Sequence, residues 1–150
     1  MTKKIIAVIG AGIADKTTFK IAEDAGRLIA KKGALLICGG LGGVMEGASK
    51  GAHMEGGITI GILPHNHVKD ANPFIDIPIA TGLGEGRNVV IARSADAIIA
   101  IGGEYGTLSE IAFGLKMKKP VIGIDTWDIK GIIKAESAED AVKKAFEIIS

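Results

Sequence analysis

The sequence predicts a Rossmann-like α/β fold, a three-layer sandwich whose middle layer is a mostly parallel sheet. Strand-like and helix-like segments alternate along the whole chain. The strand-like segments are continuous β-branched runs, such as Ile5-Ile-Ala-Val-Ile9, in which apolar and polar residues do not alternate. Strands covered by helices on both faces have this composition, and parallel sheets are covered in this way. Glycine-rich loops follow three of the strands, as expected where ligands bind at the carboxyl ends of parallel strands.

The individual elements follow from hydrophobic spacing and from the positions of glycine and proline. The first strand is predicted at 5–9, and a helix follows over 17–32 because its apolar residues recur at helical spacing up to Gly33. Further strands are predicted at 34–38, 58–63, 97–101 and 120–124, with a short additional strand at 74–79. Further helices are predicted from 44 to about 55, at 85–93, at 107–118 and at 137–149. The segment 64–73 contains two prolines and is predicted to be a loop.

The composition indicates one globular domain over 1–150 and disfavours several classes of protein. Hydrophobic residues make up 47% of the 150 residues and charged residues 23%, which is not the composition of a disordered chain. A net charge of +1 and only 4% aromatic residues argue against a nucleic-acid-binding surface, whereas a small anionic ligand needs only a local site. No apolar run approaches the length of a membrane span. The lone Cys38 cannot form an internal disulfide, and we expect a cytoplasmic protein.

Three glycine-rich loops, at 10–12, 39–43 and 102–106, each follow a predicted strand. Because ligands of such sheets bind beyond the carboxyl ends of the strands, we expect all three loops to face one crevice. The last loop joins a strand to a helix, where free backbone N–H groups and the positive end of the helix dipole favour an anion such as phosphate. Glycines at strand ends also serve tight turns, so a purely structural interpretation is open as well.

The two common phosphate-binding motifs do not match these loops. The first loop lacks the third glycine of a dinucleotide fingerprint, since Asp15 stands there, and no acidic residue ends the second strand. Residues 42–47 have the spacing of a P-loop, but Ala48 replaces the lysine. The loops therefore predict a phosphate cradle built from backbone donors alone.

Three segments of the chain together resemble the Lonely Guy (LOG) family and its relatives. They are Gly39-Gly-Leu-Gly-Gly-Val-Met-Glu-Gly47, Arg87 with Arg93-Ser-Ala-Asp96, and Gly102-Gly-Glu-Tyr-Gly-Thr-Leu-Ser-Glu110, and the resemblance covers residues 5–124. LOG enzymes release a cytokinin-type base from a nucleoside 5′-monophosphate. A sister group, the molybdenum cofactor carrier proteins, binds a phosphorylated pterin. A more distant likeness to the DNA-processing protein DprA is also considered, but the near-neutral charge argues against DNA as a ligand.

Departures from the LOG pattern make the chain similar to the carrier-like branch. Gly102 replaces the proline of LOG enzymes, Glu104 replaces a glycine, and the segment from Gly84 to Asn88 lacks their histidine and lysine. The resemblance therefore implies a carrier-like binding protein for a phosphorylated, ring-containing small molecule, either a nucleotide or a molybdenum cofactor, with no further cofactor required. The alternative is a nucleoside 5′-monophosphate phosphoribohydrolase. By the same resemblance we expect a homo-oligomer, a dimer or a tetramer.

The candidate ligand-binding residues come from the glycine-rich loops and from the segments that resemble the family. They are Gly10, Gly12, Gly39, Gly40, Gly42, Gly43, Arg87, Gly102, Gly103, Tyr105, Gly106, Thr107 and Glu110. Arg87 would neutralise a phosphate or orient Glu110. If the protein is an enzyme, Glu110 and Arg87 are the catalytic candidates, with Glu110 stabilising an oxocarbenium-like ribosyl centre.

Each of these side chains also has a structural interpretation. Thr107-Leu-Ser-Glu110 fits a capping box, in which Thr107 caps the helix and Glu110 accepts a bond from the Thr107 N–H. Arg87 could be a cation on a helix surface. No metal site is predicted, because His65 and His67 lie in a proline-bounded loop without a cluster of further ligands.

Overall fold

The computed structural model describes residues 2–150, which form seven strands and five helices. The strands are β1 (Ile5–Gly10), β2 (Leu35–Cys38), β3 (Thr59–Leu63), β4 (Ile77–Ala80), β5 (Ala97–Ile101), β6 (Val121–Ile124) and β7 (Ile133–Lys134). The helices are α1 (Lys16–Lys31), α2 (Val44–Met54), α3 (Arg87–Ser94), α4 (Tyr105–Lys116) and α5 (Ala138–Ile149). A single 3₁₀ turn, Gly84–Gly86, precedes α3. None of these helices is long and apolar enough to cross a membrane.

All seven strands lie in one sheet, in the order β4-β3-β2-β1-β5-β6-β7, and every neighbouring pair is parallel. The central strand β1 pairs with β2 on one side and with β5 on the other, so that Ile6 lies opposite both Leu36 and Ala97. The chain leaves β1 towards β2 and returns on the opposite side at β5. A parallel sheet opens a crevice at such a reversal of strand order.

Helices cover both faces of the sheet, which confirms the predicted three-layer sandwich. Ile6 and Val8 of β1 pack with buried residues of α1, α2 and α5. The intervening residues Ala7 and Ile9 pack against α3 and α4 on the opposite face. Neighbouring strands are likewise apolar on both faces, because neither face meets water.

The structure differs from the predicted elements at two boundaries and in one further strand, β7. The additional strand begins at Ile77, later than the predicted 74–79, because the residues before it form turns and contacts with the start of β3. The two-residue strand β7 was not predicted, since so short an element leaves no periodic pattern. Helix α4 begins at Tyr105, two residues before the predicted start at Thr107.

Candidate functional site

A cavity of about 540 Å³ opens at the carboxyl ends of β1, β2 and β5. Its walls come from the end of β1 and the loop after it, the residue after β2, the start of α2, the 3₁₀ turn and start of α3, and the first turns of α4. The lining residues are Val8, Ile9, Gly10, Ala11, Gly12, Ile13, Gly39, Met45, Glu85, Arg87, Asn88, Glu104, Gly106, Thr107 and Glu110. Residues of all three glycine-rich loops thus meet at one cavity, at the reversal of strand order.

The structure divides the candidate ligand-binding residues into two groups. Seven of them line the cavity: Gly10, Gly12, Gly39, Arg87, Gly106, Thr107 and Glu110. Six do not line it: Gly40, Gly42, Gly43, Gly102, Gly103 and Tyr105. Four glycines of the second group have positive φ angles, of 80° at Gly40, 64° at Gly43, 57° at Gly102 and 101° at Gly103. These four glycines form the turns that bring the cavity walls together, because glycine adopts positive φ angles without steric cost.

The loop between β5 and α4 leaves a series of backbone donors free. Among residues 2–150, no acceptor is found for the N–H groups of 103–107, and no side chain caps the start of α4. Gly103 lies against Thr107, and a Cβ atom at position 103 would overlap that side chain. Free N–H groups at the start of a helix, together with its dipole, form a binding site for an anion.

The capping-box interpretation of Thr107 and Glu110 is wrong. Because α4 begins at Tyr105, Thr107 is its third residue and has no N-cap role. The Glu110 carboxyl group is only 7% exposed and borders the cavity. Burial raises the pKa of Glu110 from its usual 4.5 to about 8, although the nearby Arg87 cation acts in the opposite direction. The carboxyl group is therefore mostly protonated at neutral pH.

The Arg87 guanidinium connects two strand ends and faces the cavity. Its Nε donates to the Ile62 carbonyl at 2.9 Å, near the end of β3. Its Nη2 donates a long bond of 3.5 Å to the Gly39 carbonyl, directly after β2. Burial lowers the pKa of Arg87, with Glu110 opposing this effect, but an arginine remains a cation. Within residues 2–150, no carboxylate forms a salt bridge with it.

Asn88 is a site residue that the sequence analysis did not predict. Its Oδ1 accepts a bond from Arg87, and its Nδ2 donates to the Ser109 hydroxyl at 3.1 Å. The Ser109 hydroxyl donates in turn to the Gly106 carbonyl at 2.7 Å. This series of hydrogen bonds joins the start of α3 to the first turn of α4. A polar residue directly after Arg87 at a helix start was the available signal, but its partner Ser109 is distant in sequence.

Two carboxylates also border the cavity, Glu85 in the 3₁₀ turn and Glu104 at the start of α4. Glu104, which replaces a glycine of the LOG pattern, thus places a carboxylate in the cavity lining. Apolar residues such as Ile13 and Met45 complete the walls. The cavity thus combines one cation and free N–H donors with carboxylates and an apolar surface.

The other polar candidates lie apart from this cavity or inside the core. Asp70 contacts both His65 and His67, with distances of 3.0 and 3.8 Å between its Oδ2 and their Nδ1 atoms. No group of three or more His, Cys, Asp or Glu residues suited to a metal ion occurs within 2–150. Cys38 is fully buried, and burial raises the pKa of its thiol, which disfavours the thiolate of a nucleophile. Asp15 caps α1 by accepting a bond from the Thr18 N–H at 2.8 Å.

Two solved structures resemble the chain over nearly its whole length. The molybdenum cofactor binding protein from Rippkaea orientalis is 40% identical, with a TM-score of 0.95, and the match covers 100% of this chain and 99% of that one. The molybdenum cofactor carrier protein from Chlamydomonas reinhardtii is 34% identical, with a TM-score of 0.90 and 98% of each chain covered.

The similarity to a LOG enzyme is weaker and covers less of both chains. The cytokinin riboside 5′-monophosphate phosphoribohydrolase LOG of Oryza sativa subsp. japonica is 30% identical over 114 residues. The match covers 73% of this chain and 47% of the rice protein, so it spans about half the length of that relative. DNA processing protein A from Helicobacter pylori, at 17% identity and a TM-score of 0.76, shares the fold alone; the match covers 99% of this chain and 83% of that one.

The family assignment rests on the sequence over nearly the whole chain. A sequence model of the SLOG cluster4 family matches residues 3–148. The matched region contains all seven strands, helices α1 to α4, all of α5 except Ile149, and every residue that lines the cavity. The chain belongs to the SLOG cluster4 family.

Proposed function

We propose that this protein binds a phosphorylated, ring-containing small molecule of the molybdenum-cofactor or nucleotide type, and acts as its carrier. The observation that carries the proposal is the series of N–H groups at 103–107, which have no acceptor within residues 2–150, at a cavity that the Arg87 cation also lines. Relatives that bind or carry the molybdenum cofactor support it, since they match the chain over nearly its full length.

The phosphate would lie at the start of α4. There Gly106 and Thr107 line the cavity, their N–H groups have no acceptor among residues 2–150, and the helix dipole favours a negative charge. Arg87 would supply the charge that the backbone lacks. Its Nε is already bound to the Ile62 carbonyl, which leaves donors of the planar guanidinium for a phosphate oxygen.

The ring would occupy the part of the cavity nearer to β1 and α2. Ile13 and Met45 provide apolar contacts there, and the loop after β1 brings its backbone close to the ligand. Glu85 and Glu104 would accept bonds from amino groups on the ring, because ionised carboxylates are acceptors only. Both carboxylates are thereby assigned to the ring, although Glu104 itself stands at the start of α4, next to the proposed position of the phosphate.

Phosphoribohydrolase activity is the second candidate, and the buried Glu110 carboxyl group favours it. A carboxyl group with a pKa of about 8 is protonated at neutral pH, and such a group is a general acid that could protonate a leaving base. The same protonation argues against the other catalytic role, since stabilising an oxocarbenium-like centre needs the ionised carboxylate. The electrostatics thus oppose the oxocarbenium-stabilising role expected for Glu110, and carriage is favoured by the relatives that match the chain over nearly its whole length.

Calorimetry with the molybdenum cofactor, AMP and inorganic phosphate tests the binding proposal. We expect saturable binding of at least one of these probes. Gly106→Asp should weaken it at least about tenfold, because one lost charge-assisted contact is worth roughly 1.5–3 kcal/mol. The methylene group has room, since no atom lies within 4 Å of a Cβ at position 106. Ala112→Asp, on an exposed position of the same helix and outside the cavity, is the matched control.

Two results would contradict the proposal: no binding of any of the three probes, or equal binding by the Gly106→Asp variant. Incubation with AMP, followed by chromatography for free adenine, separates carriage from hydrolysis. We expect no adenine above the uncatalysed background. Adenine release that disappears in Glu110→Gln would establish the hydrolase instead.

A further inference from the structure

We propose that Thr126 and Trp127, in the segment that follows β6, are positioning residues that orient the peptide groups of the anion-binding loop. The proposal rests on the proposed function and concerns the same site. Neither residue lines the cavity, so each would act through the backbone of residues 102–105. Side chains of the segment 125–127 donate hydrogen bonds to two carbonyl groups of that backbone, those of Gly102 and Glu104.

Two hydrogen bonds hold these carbonyl groups. The Thr126 hydroxyl donates to the Gly102 carbonyl at 2.6 Å. The Trp127 indole Nε1–H donates to the Glu104 carbonyl at 3.2 Å. The Gly102 N–H also donates to the Ile124 carbonyl at the end of β6, at 3.1 Å. The start of the loop is thus attached to β6 and to the residues after it by three bonds.

The geometry of the peptide group links these carbonyls to the donors of the site. In a planar trans peptide the C=O and the following N–H point in opposite directions. When Thr126 holds the Gly102 carbonyl, the Gly103 N–H therefore points away from Thr126. The Glu104 carbonyl accepts bonds from Trp127 and from the Leu108 N–H at 3.0 Å, so the Tyr105 N–H faces outward from the helix start.

The loop needs such external support because its own sequence does not fix it. Gly102 and Gly103 have φ angles of 57° and 101°, and glycine adopts conformations on both sides of the φ map with little cost. A flip of the 102–103 peptide would reverse the Gly102 carbonyl and the Gly103 N–H and so change the path of the chain into α4, whose residues Gly106 and Thr107 line the cavity. The hydroxyl of Thr126 opposes that flip.

The 125–127 segment is itself held in a specific shape. Asp125 has a φ of 47°, a left-handed conformation that is unfavourable for a residue other than glycine and that structures retain where the position of the chain matters. The Thr126 methyl group packs over Gly123, where an added Cβ would be only 2.5 Å from it. The Trp127 ring lies beside the exposed Tyr105 ring, with 5.9 Å between their centroids. Backbone and packing together fix both donors.

Thr126→Val removes the hydroxyl at nearly constant volume, and Thr126→Ser restores it. The probe is the molybdenum cofactor, AMP or inorganic phosphate, whichever the unmodified protein binds most tightly by calorimetry. We expect Thr126→Val to weaken binding about tenfold, the equivalent of one hydrogen bond of roughly 1.4 kcal/mol, and Thr126→Ser to stay within about threefold of the unmodified protein. Trp127→Phe keeps a ring beside Tyr105 but lacks the N–H, and should weaken binding about fivefold.

Thermal unfolding of each variant separates positioning from a general loss of structure. Unchanged affinity in Thr126→Val, or an equal loss in Thr126→Ser, would overturn the inference while the proposed function stands. If Thr126→Val does not fold, Trp127→Phe decides: full affinity in that variant overturns the inference. If the unmodified protein binds none of the three probes, the proposed function fails and the inference falls with it.

Discussion

Gly39 shows how one glycine at a strand end sets the position of a charged side chain. An added Cβ there would lie 2.7 Å from the Met45 sulfur and 2.8 Å from Nη2 of Arg87. Both neighbours are the far ends of flexible side chains, so the fold would tolerate the methyl group by moving them. The guanidinium would then lose its place near the Gly39 carbonyl.

We expect Gly39→Ala to weaken binding of the calorimetric probe about tenfold, with a change of less than about 1 kcal/mol in the free energy of unfolding. Gly86→Ala is the matched control, because Gly86 does not line the cavity and an added Cβ there meets only the Leu83 side chain, at 3.7 Å. Calorimetry and denaturant unfolding measure the two effects. Equal affinity in the two variants would show that Arg87 does not bind the phosphate.

The sequence predicted two of the four charged residues that line the cavity, but not how they are held. Arg87 and Glu110 were identified from a motif and its spacing, and both line the cavity. The bonds of Arg87 go to the carbonyl groups of Ile62 and Gly39, which are 25 and 48 residues away. Backbone carbonyls leave no residue-specific signal in a sequence, so these partners could not be predicted.

Helices α1 and α2 approach each other closely at positions that are occupied by glycine. A Cβ added at Gly51 of α2 would overlap the Glu23 carbonyl of α1 and lie 2.9 Å from the Arg27 nitrogen. Gly26 of α1 meets the backbone of Ala48 in the same way. Because the obstacle is backbone in both cases, no rotation of a side chain can make room.

We therefore expect Gly51→Ala to lower the free energy of unfolding by about 1–3 kcal/mol, in spite of the better helix propensity of alanine. Gly106→Ala is the control: it is also a helix glycine, but its Cβ meets no atom within 4 Å, so stability should stay the same or rise slightly. Denaturant unfolding monitored by circular dichroism measures both. Similar stability changes in the two variants would refute the close approach of α1 and α2.

The start of α4 was predicted two residues too late for a physical reason. Thr107 and Glu110 have the spacing of a capping box, and local sequence favours a helix start there. The helix instead begins at Tyr105 without a side-chain cap, so its first N–H groups have no acceptor among the described residues. A local rule failed at the position where we propose that a ligand replaces the cap.

The layers of the whole molecule were predictable from the sequence, whereas the order of the strands in the sheet was not. Continuous apolar strands such as β5, buried at every residue, predict helices on both faces. The position of β1 between β2 and β5 depends on pairing between strands that are far apart in the sequence, and no single segment predicts that pairing. That order creates the cavity, and it brings Glu110 into a buried position near Arg87 and Cys38.

The buried Glu110 should make the stability of the whole molecule depend on pH. Its pKa is about 8 in the fold and near the usual 4.5 in the unfolded chain, so between these values the unfolded chain releases the proton first. Stability should therefore fall as pH rises from about 4.5 to 8, by up to about 1.4 kcal/mol per pH unit and about 5 kcal/mol in all. Glu110→Gln cannot ionise, and should lack this decline.

The free energy of unfolding, measured from pH 5 to pH 9, tests this expectation. The difference between Glu110→Gln and the unmodified protein should grow in favour of the variant as pH rises, and then level off above about pH 8. Glu147→Gln, on an exposed position of α5, is the matched control and should run parallel to the unmodified protein. A pH-independent difference between Glu110→Gln and the unmodified protein would mean that Glu110 is ionised in the folded state, and the electrostatic argument against hydrolysis would then be lost.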